Sequence, residues 1–328
     1  MITLDDIRQP ITAQLAEFET FVLRQIVAEG EFLTEMLRHA LSARGKGIRP
    51  MLVLLSAAMH AGDADRVGRR SHVAALLVEM LHVSSLIHDD VVDEADMRRG
   101  RPSANALWQS HNAVILGDYI LGRTIETGLA SGQFDLVSHI TRAITSLCEG
   151  EVLQSDCARR QIVDRESYYR IIRRKTASLL GVSVSAGALS VGAPREKVAM
   201  MTRLGEALGM AFQIRDDMLD YTRSAATGKP ANNDLREGKI TLPLLFVLER
   251  STEERRSELL ERLAACHADP ESVEYLQHTV ESCGGLDEAE RVMQDFVDEA
   301  LQYLKGYPAS PYRDALENLC RYVARRDR

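Results

Sequence analysis

Leu86-Ile87-His88-Asp89-Asp90-Val91-Val92-Asp93-Glu94-Ala95-Asp96-Met97-Arg98-Arg99-Gly100 is the stretch on which the reading of this chain turns. A mostly apolar, uncharged run, Met80 to Ile87, leads into five acids within eight residues, and two arginines and a glycine follow. The lead-in has helical character, so Asp89 and Asp93 (i, i+4) share one helix face. Carboxylates about 6 Å apart repel by roughly 0.7 kcal/mol in water and about 3 kcal/mol at an effective dielectric near 20. They also stand at a helix C-terminus, where the macrodipole favours cations. Local stability alone therefore argues against the arrangement. A divalent cation reverses the sign, because magnesium takes carboxylate oxygens together with water and phosphate oxygens. A solvated acidic helix end is the alternative reading of this stretch.

A second stretch repeats the pattern. Phe212-Gln213-Ile214-Arg215-Asp216-Asp217-Met218-Leu219-Asp220 again runs from an apolar lead-in to Asp-Asp-x-x-Asp, with Asp216 and Asp220 one turn apart. Two such helix ends could face each other across a metal cluster.

The rest of the 328 residues narrows the class. Hydrophobic residues make up 45%, enough for a real core. Leu, Ala, Glu and Arg outweigh β-branched and aromatic runs, and no strand alternation is long enough to score, so the chain reads as one all-α domain. Net charge is −8, the wrong sign for a nucleic-acid partner. Five cysteines without zinc spacing suit a reduced cytoplasm. The first ten residues lack a signal-peptide core, and no apolar run reaches the ~18 residues of a membrane span.

Helices are expected over Ile2–Ala28, Glu31–Ala43, Met51–His60, from about Arg66 into the first acidic cluster, Asn112–Ala130, Phe134–Cys157, Arg165–Leu189 with Asp164 as cap, and Arg195 to about Tyr221. Ser251-Thr252-Glu253-Glu254 reads as a capping box. Between the helices lie basic and glycine-bearing loops: Gly45-Lys46-Gly47-Ile48-Arg49-Pro50, Gly228-Lys229-Pro230 and Gly238-Lys239. Each reads either as an ordinary interhelical loop or as an anion holder, and Arg173-Arg174-Lys175-Thr176 either as a solvated face or as part of the same inventory. His82 stands seven residues before Asp89, two turns along the same face. Two acid clusters with Lys46, Arg49, Arg98, Arg99, Lys175, Lys229 and Lys239 suit one or two diphosphates, gripped by arginine forks and lysine charges around metal ions. No Walker loop, Gly-x-Ser-x-Gly or His-Glu-x-x-His motif is present.

These motifs, together with Glu79-Met80-Leu81-His82, Gly117-Asp118, Glu149-Gly150-Glu151, Asp234-Leu235, Thr241-Leu242-Pro243 and the stretch Val323 to Arg328, resemble the trans-isoprenyl diphosphate synthases, in particular the bacterial octaprenyl group, over nearly the whole chain. The resemblance implies an antiparallel helical bundle around a deep central cavity, the isoprenoid synthase fold, and a homodimer. It implies three Mg²⁺ ions on Asp89, Asp93 and Asp216. It assigns Arg98, Lys175, Lys229 and Lys239 to the allylic diphosphate, Thr176 and Gln213 to the allylic carbons, and Lys46, Arg49, His82 and Arg99 to isopentenyl diphosphate. Lys175, Thr176, Gln213 and Lys239 are the expected catalytic set. Three departures stand out: Gly47 where the family commonly has a base, Asn232-Asn233 after the Lys229 loop, and Arg215 beside Asp216.

Product length turns on the first motif helix. Ser85 is one turn before Asp89 and Leu81 two turns before it, each turn about 5.4 Å, close to one isoprene unit. Small Ser84 and Ser85 leave the cavity open where bulky aromatics close it in short-chain relatives, which favours C40 within C30–C50, for quinone side chains. The alternatives are a geranylgeranyl or farnesyl synthase, a non-catalytic synthase subunit, and a class I terpene cyclase.

Overall fold

In the computed structural model, which describes residues 2–25, 28–42, 45–222 and 232–326, the chain is helical apart from one pair of two-residue strands among those residues. The all-α expectation holds. The chain folds as two compact units, each assembled from separate segments. Unit 1 takes residues 1–144, 179–205 and 304–318; unit 2 takes 145–178, 206–303 and 319–328.

Unit 1 is built on the helix Arg69–Val92, which carries the first acidic motif. At 1.5 Å per residue its 24 residues span about 36 Å. Val73 to Val78 are buried without a break, so the helix is apolar nearly all round, as a central helix must be. It packs on Ile48–Ala61 and Ala104–Ala130. By length and composition it could cross a membrane, a property that counting uninterrupted apolar residues misses; 67% of its apolar window is buried within the fold.

Unit 2 has its own core, in which Tyr221, Leu244, Leu248, Leu259, Leu263 and Leu276 are almost fully buried. The second motif lies in the helix Arg195–Thr222, close to its expected limits. Asp164 caps the helix Arg165–Ile172 as expected, accepting from the Ser167 amide at 2.7 Å. Thr252 caps Glu253–Ala265 through the Arg255 amide.

Two expectations are corrected, and one element lay outside them. Ile2–Ala28 is not one helix: a short helix, Leu4–Arg8, passes through a tight 3₁₀ turn, Gln9–Ile11, into Thr12–Gln25. Pro10 lies in that turn and removes a helical donor. The segment after the first motif is a hairpin, with Met97–Arg98 antiparallel to Arg101–Pro102. Its two-residue loop, Arg99-Gly100, has φ of 52° and 76°, the sign pattern of a type I′ turn. Arg165–Leu189, too, is interrupted: Arg165–Ile172 gives way to a π-helical turn, Arg173–Ala177, before Ser178–Ser190. Such turns are rare and concentrate at functional sites, and this one contains Lys175 and Thr176.

Candidate active site

In unit 1, consecutive acids of the first motif point in different directions. Asp89 is half-buried in the last turn of the helix Arg69–Val92, and Asp93, exposed, caps its end. Asp90, about 100° further round the helix, is buried. Its Oδ1 accepts from Arg98 Nε at 2.8 Å and from Nη2 at 2.5 Å. Arg98 is thus held by the second acid of the motif, a partner that the spacing rule does not name. The chain turns back ahead of the hairpin: Glu94 takes φ of 48° and the Ala95 amide donates to the Asp90 carbonyl at 2.9 Å, so that Arg98 returns to the helix eight residues upstream.

Arg99, on the left-handed side of that loop, lies against the Gly45 backbone; a β-carbon there would stand 2.6–2.7 Å from its guanidinium. Arg8 donates to the Lys46 carbonyl, fixing the loop that precedes the helix Ile48–Ala61. Gly47 starts that helix with φ of 62°, a backbone that disfavours the larger residue common in the family.

Arg49 is half-buried, and the burial of its head group depresses its guanidinium to about 10 against the attraction of Glu79. Its Nε has no hydrogen-bond partner among the described residues. A buried, unpartnered arginine donor is costly in the protein alone and fits an arriving anion. Burial first, then the nearby positive charges of Arg49, Arg99 and Arg98, hold His82 well below the usual imidazole range, so the ring is neutral. Glu79 balances these charges; burial pushes its carboxyl up while Arg49 and Arg99 pull it down. The structure therefore brings Arg49, His82, Arg98 and Arg99 into one electrostatic cluster, and adds Glu79. Glu79 lies three residues before His82, a helix spacing from which its membership could have been read.

Ser84 and Leu81 are buried, and Ser85 is half-buried. Ser84 Oγ donates across to the Gly117 carbonyl at 2.9 Å, whereas Ser85 Oγ bonds back to the His82 carbonyl at 2.9 Å.

Unit 2 holds the second cluster, around a cavity of about 900 Å³. Lys175, Thr176, Gln213, Asp217, Asp234 and Lys239 line its polar part; Ile162, Ile172, Leu245 and Leu260 are among its apolar lining. A chain of side-chain hydrogen bonds crosses it. Thr176 Oγ1 donates to Gln213 Oε1 at 2.7 Å; Gln213 Nε2 donates to Asp217 Oδ1 at 2.8 Å; Tyr168 Oη donates to Asp217 Oδ2 at 2.6 Å. Burial and the neighbouring Asp234 push the Asp217 carboxyl up to about 8, opposed by the bonds from Tyr168 and Gln213.

As in the first motif, the second acid faces inward and is bonded by the protein. The third acid, Asp220, is also buried; its Oδ2 accepts from the Asp234 amide at 2.9 Å and its carbonyl from Asn232. Asn232, one of the unusual asparagine pair, adopts φ of 62° there.

Lys175 stands between Glu151 at 2.8 Å and Gln154 at 3.3 Å. Lys239 pairs with Glu237. Asp216, half-buried, accepts from Arg326, and Arg215 donates to the Arg326 carbonyl rather than standing beside Asp216 as a spare cation. Lys229 lies outside the described residues.

Among the described residues no three acidic, imidazole or thiol side chains converge as a ready metal cage. A hard cation here would take one or two carboxylates and complete its shell with water and substrate oxygens, which is how magnesium is held at phosphate sites. Asp89, Asp93 and Asp216 are the motif acids with exposed or half-exposed carboxylates, and their oxygen chemistry fits that ion.

Residues 30–280 match the model of the polyprenyl synthetase family. The chain is 35% identical over 318 residues to heptaprenyl diphosphate synthase component 2 of Geobacillus stearothermophilus, covering 97% of each chain. It is 30% identical over 329 residues to octaprenyl diphosphate synthase of Escherichia coli, covering both chains fully. A crystal structure of a polyprenyl synthase from Caulobacter crescentus, complexed with calcium and isoprenyl diphosphate, superposes with a TM-score of 0.91 at 30% identity, covering 99% of this chain and 98% of that one. This chain belongs to the polyprenyl synthetase family and is a trans-polyprenyl diphosphate synthase.

Proposed function

We propose that the protein condenses isopentenyl diphosphate with an allylic diphosphate, farnesyl diphosphate being the favoured primer, to an all-trans polyprenyl diphosphate of C30–C50, with C40 the single best length, for quinone side chains. The observation that carries this reading is the unit 2 cavity, where two lysines, a hydroxyl and an amide meet an apolar lining. That combination suits an ester with a charged head and a hydrocarbon tail. Asp89, Asp93 and Asp216 would hold magnesium, three ions in the expected complement, which when bound draws electron density from the allylic diphosphate.

The chain's own residues do the rest. Lys175, Lys239, Arg98 and Lys229 bind the allylic diphosphate and stabilise the charge that grows on it as the carbon–oxygen bond breaks. Lys175 and Arg98 exchange Glu151 and Asp90 for phosphate oxygens or share themselves between the two. The Thr176 hydroxyl and Gln213 amide, ordered by Asp217 and Tyr168, turn their oxygen dipoles toward the allylic cation. Lys46, Arg49, His82 and Arg99 hold isopentenyl diphosphate, whose double bond attacks that cation. A proton then leaves the new carbon skeleton, with the departed diphosphate as its acceptor.

The protein is further read as a cytoplasmic homodimer. Supporting this are its five cysteines, which form no disulfide among the described residues, and the apolar Leu107, Val114 and Ile115 left exposed along the helix Ala104–Ala130.

The test is to supply the purified protein with farnesyl diphosphate and Mg²⁺, with and without isopentenyl diphosphate, and to separate the products by chain length. Isopentenyl-dependent elongation to C30 or beyond is expected. A hydrocarbon made without isopentenyl diphosphate, or products ending at C20, would overturn the proposal. No product from the purified chain alone would point to a subunit that requires a second component.

A further inference from the structure

Arg326 follows the helix Pro311–Arg325, and its side chain is only 6% exposed. Its Nη2 donates to Asp216 Oδ1 at 2.9 Å and to the Phe212 carbonyl at 3.0 Å. Its guanidinium carbon stands 3.7 Å from the centre of the Phe212 ring. Its own carbonyl accepts from Arg215 Nε at 3.0 Å. Positions 212, 215 and 216 are i, i+3 and i+4, one face of the second motif helix. A single residue from more than 100 positions away thus grips that face at its backbone, its aromatic ring and its first acid. Burying a guanidinium is costly, and here the cost is opposed by a carboxylate, a carbonyl and a ring at once. This is a fixed socket, not a surface ion pair.

We propose that Arg326 is a positioning residue for Asp216: it fixes the rotation of that carboxylate so that it meets a divalent cation without having to be ordered first. The proposal rests on the reading of Asp216 as a metal ligand. Two effects of opposite sign compete at such a position. Positive charge beside a ligand carboxylate weakens its pull on a cation; a hydrogen bond that fixes the ligand strengthens binding by removing freedom otherwise lost on coordination. The geometry favours the second, because the donor is itself held by the Phe212 ring and carbonyl and by Arg215.

The experiment compares R326A and R326K with R325A, a change at the exposed neighbour. Titration calorimetry measures the binding of inorganic pyrophosphate across a range of Mg²⁺, and turnover is followed over the same range. R326A should bind pyrophosphate at least tenfold more weakly at a fixed, sub-saturating Mg²⁺ concentration and need several-fold more Mg²⁺ for half-maximal rate. R326K, which keeps the charge but loses the planar fork, should fall nearer to R326A than to the parent, and R325A should match the parent. In EDTA, the effects of R326A and D216N on melting temperature should be non-additive, showing the pair without any metal. An R326A protein that needs the same Mg²⁺ as the parent, or less, overturns the inference; less would mean that Arg326 competes with the cation. If R326A does not fold, F212L is read by the same assays, and an unshifted Mg²⁺ requirement again overturns it. Should D216N keep its turnover, the metal reading itself fails, an outcome separate from an R326A protein that binds metal normally.

Discussion

Gly209→Ala is expected to disable the allylic side of the enzyme while sparing the isopentenyl side. An ideal β-carbon at Gly209 lies 2.4 Å from Ala177 Cα and 2.9 Å from Ala177 Cβ. Carbon atoms rest at roughly 3.5–4.0 Å, so the motif helix and the π-helical turn must part by about 1.1–1.6 Å. On its other side the turn has little room to yield: a β-carbon at Gly150 would be 2.9 Å from the Lys175 amide nitrogen. Overpacking of this kind costs about 1–3 kcal/mol of stability. The functional effect is larger in kind, because Lys175 and Thr176 are part of the displaced turn. A misplacement of about 1 Å is worth roughly 10²-fold in rate, or about 2.7 kcal/mol. Steady-state kinetics should therefore show kcat reduced about a hundredfold with the KM for isopentenyl diphosphate nearly unchanged, since Lys46, Arg49, His82 and Arg99 belong to unit 1. Adding Ala177→Gly removes the contact at 2.9 Å but not the one at 2.4 Å, so rescue should be partial at best. A Gly209→Ala enzyme within about threefold of the parent kcat would refute the argument that the π-helical turn is held in place by close packing on both sides.

Asp89→Ala should lower turnover by several orders of magnitude and leave the metal-free melting temperature unchanged or raised, because it relieves repulsion with Asp93; near-native turnover at saturating Mg²⁺ would remove the metal assignment. Lys46→Ala or Arg49→Ala should chiefly raise the KM for isopentenyl diphosphate, and Lys175→Ala should chiefly slow ionisation of the allylic ester; the reverse split in steady-state kinetics would mean the two diphosphate sites are exchanged. Ser85→Phe should shorten the product toward C15–C20 with the first condensation intact, whereas Ser84→Phe should first cost stability, since it breaks the bond to Gly117 and overfills a buried position; product chromatography with thermal melts separates the two, and an unchanged chain length in Ser85→Phe sinks the cavity argument. For His82, the folded value lies below the unfolded one, so the unfolded chain takes up the proton and stability falls as pH drops through about 6.5. His82→Gln should flatten that acid limb, by at most about 1.4 kcal/mol per pH unit; identical slopes in denaturant titrations would show that the ring is not buried neutral.

Long helices and the outward acids were legible because period and charge are local. Asp164 as a cap follows from its residue type and its place before a helical run. The π-helical turn was not, since Arg173 to Ala177 contains no proline or glycine to mark it; the glycines it packs against, Gly150 and Gly209, come from distant parts of the sequence. Periodicity also shows that Asp90 and Asp217 face away from their neighbours, but not what they meet. Arg98 reaches Asp90 only because the chain reverses at Glu94 and Ala95, and Tyr168 reaches Asp217 across 49 positions. Arg326 is the extreme case: its partner is 110 residues upstream, and a basic residue near the last helix reads as solvated until the fold brings it to Asp216.

The inward turn of Asp90 bears on how such a chain can change over generations. The side chain that ties the hairpin to the helix differs from the two that offer themselves to a cation, although all three fall within five residues. Mutational drift at positions 89 and 93 would erase the chemistry and leave the wall standing. Drift at position 90 would strand Arg98 and loosen the wall itself. A duplicated gene could therefore shed activity in one copy and keep a folded product able to take another role, so position 90 should tolerate fewer substitutions than position 93 in a selection for folding alone.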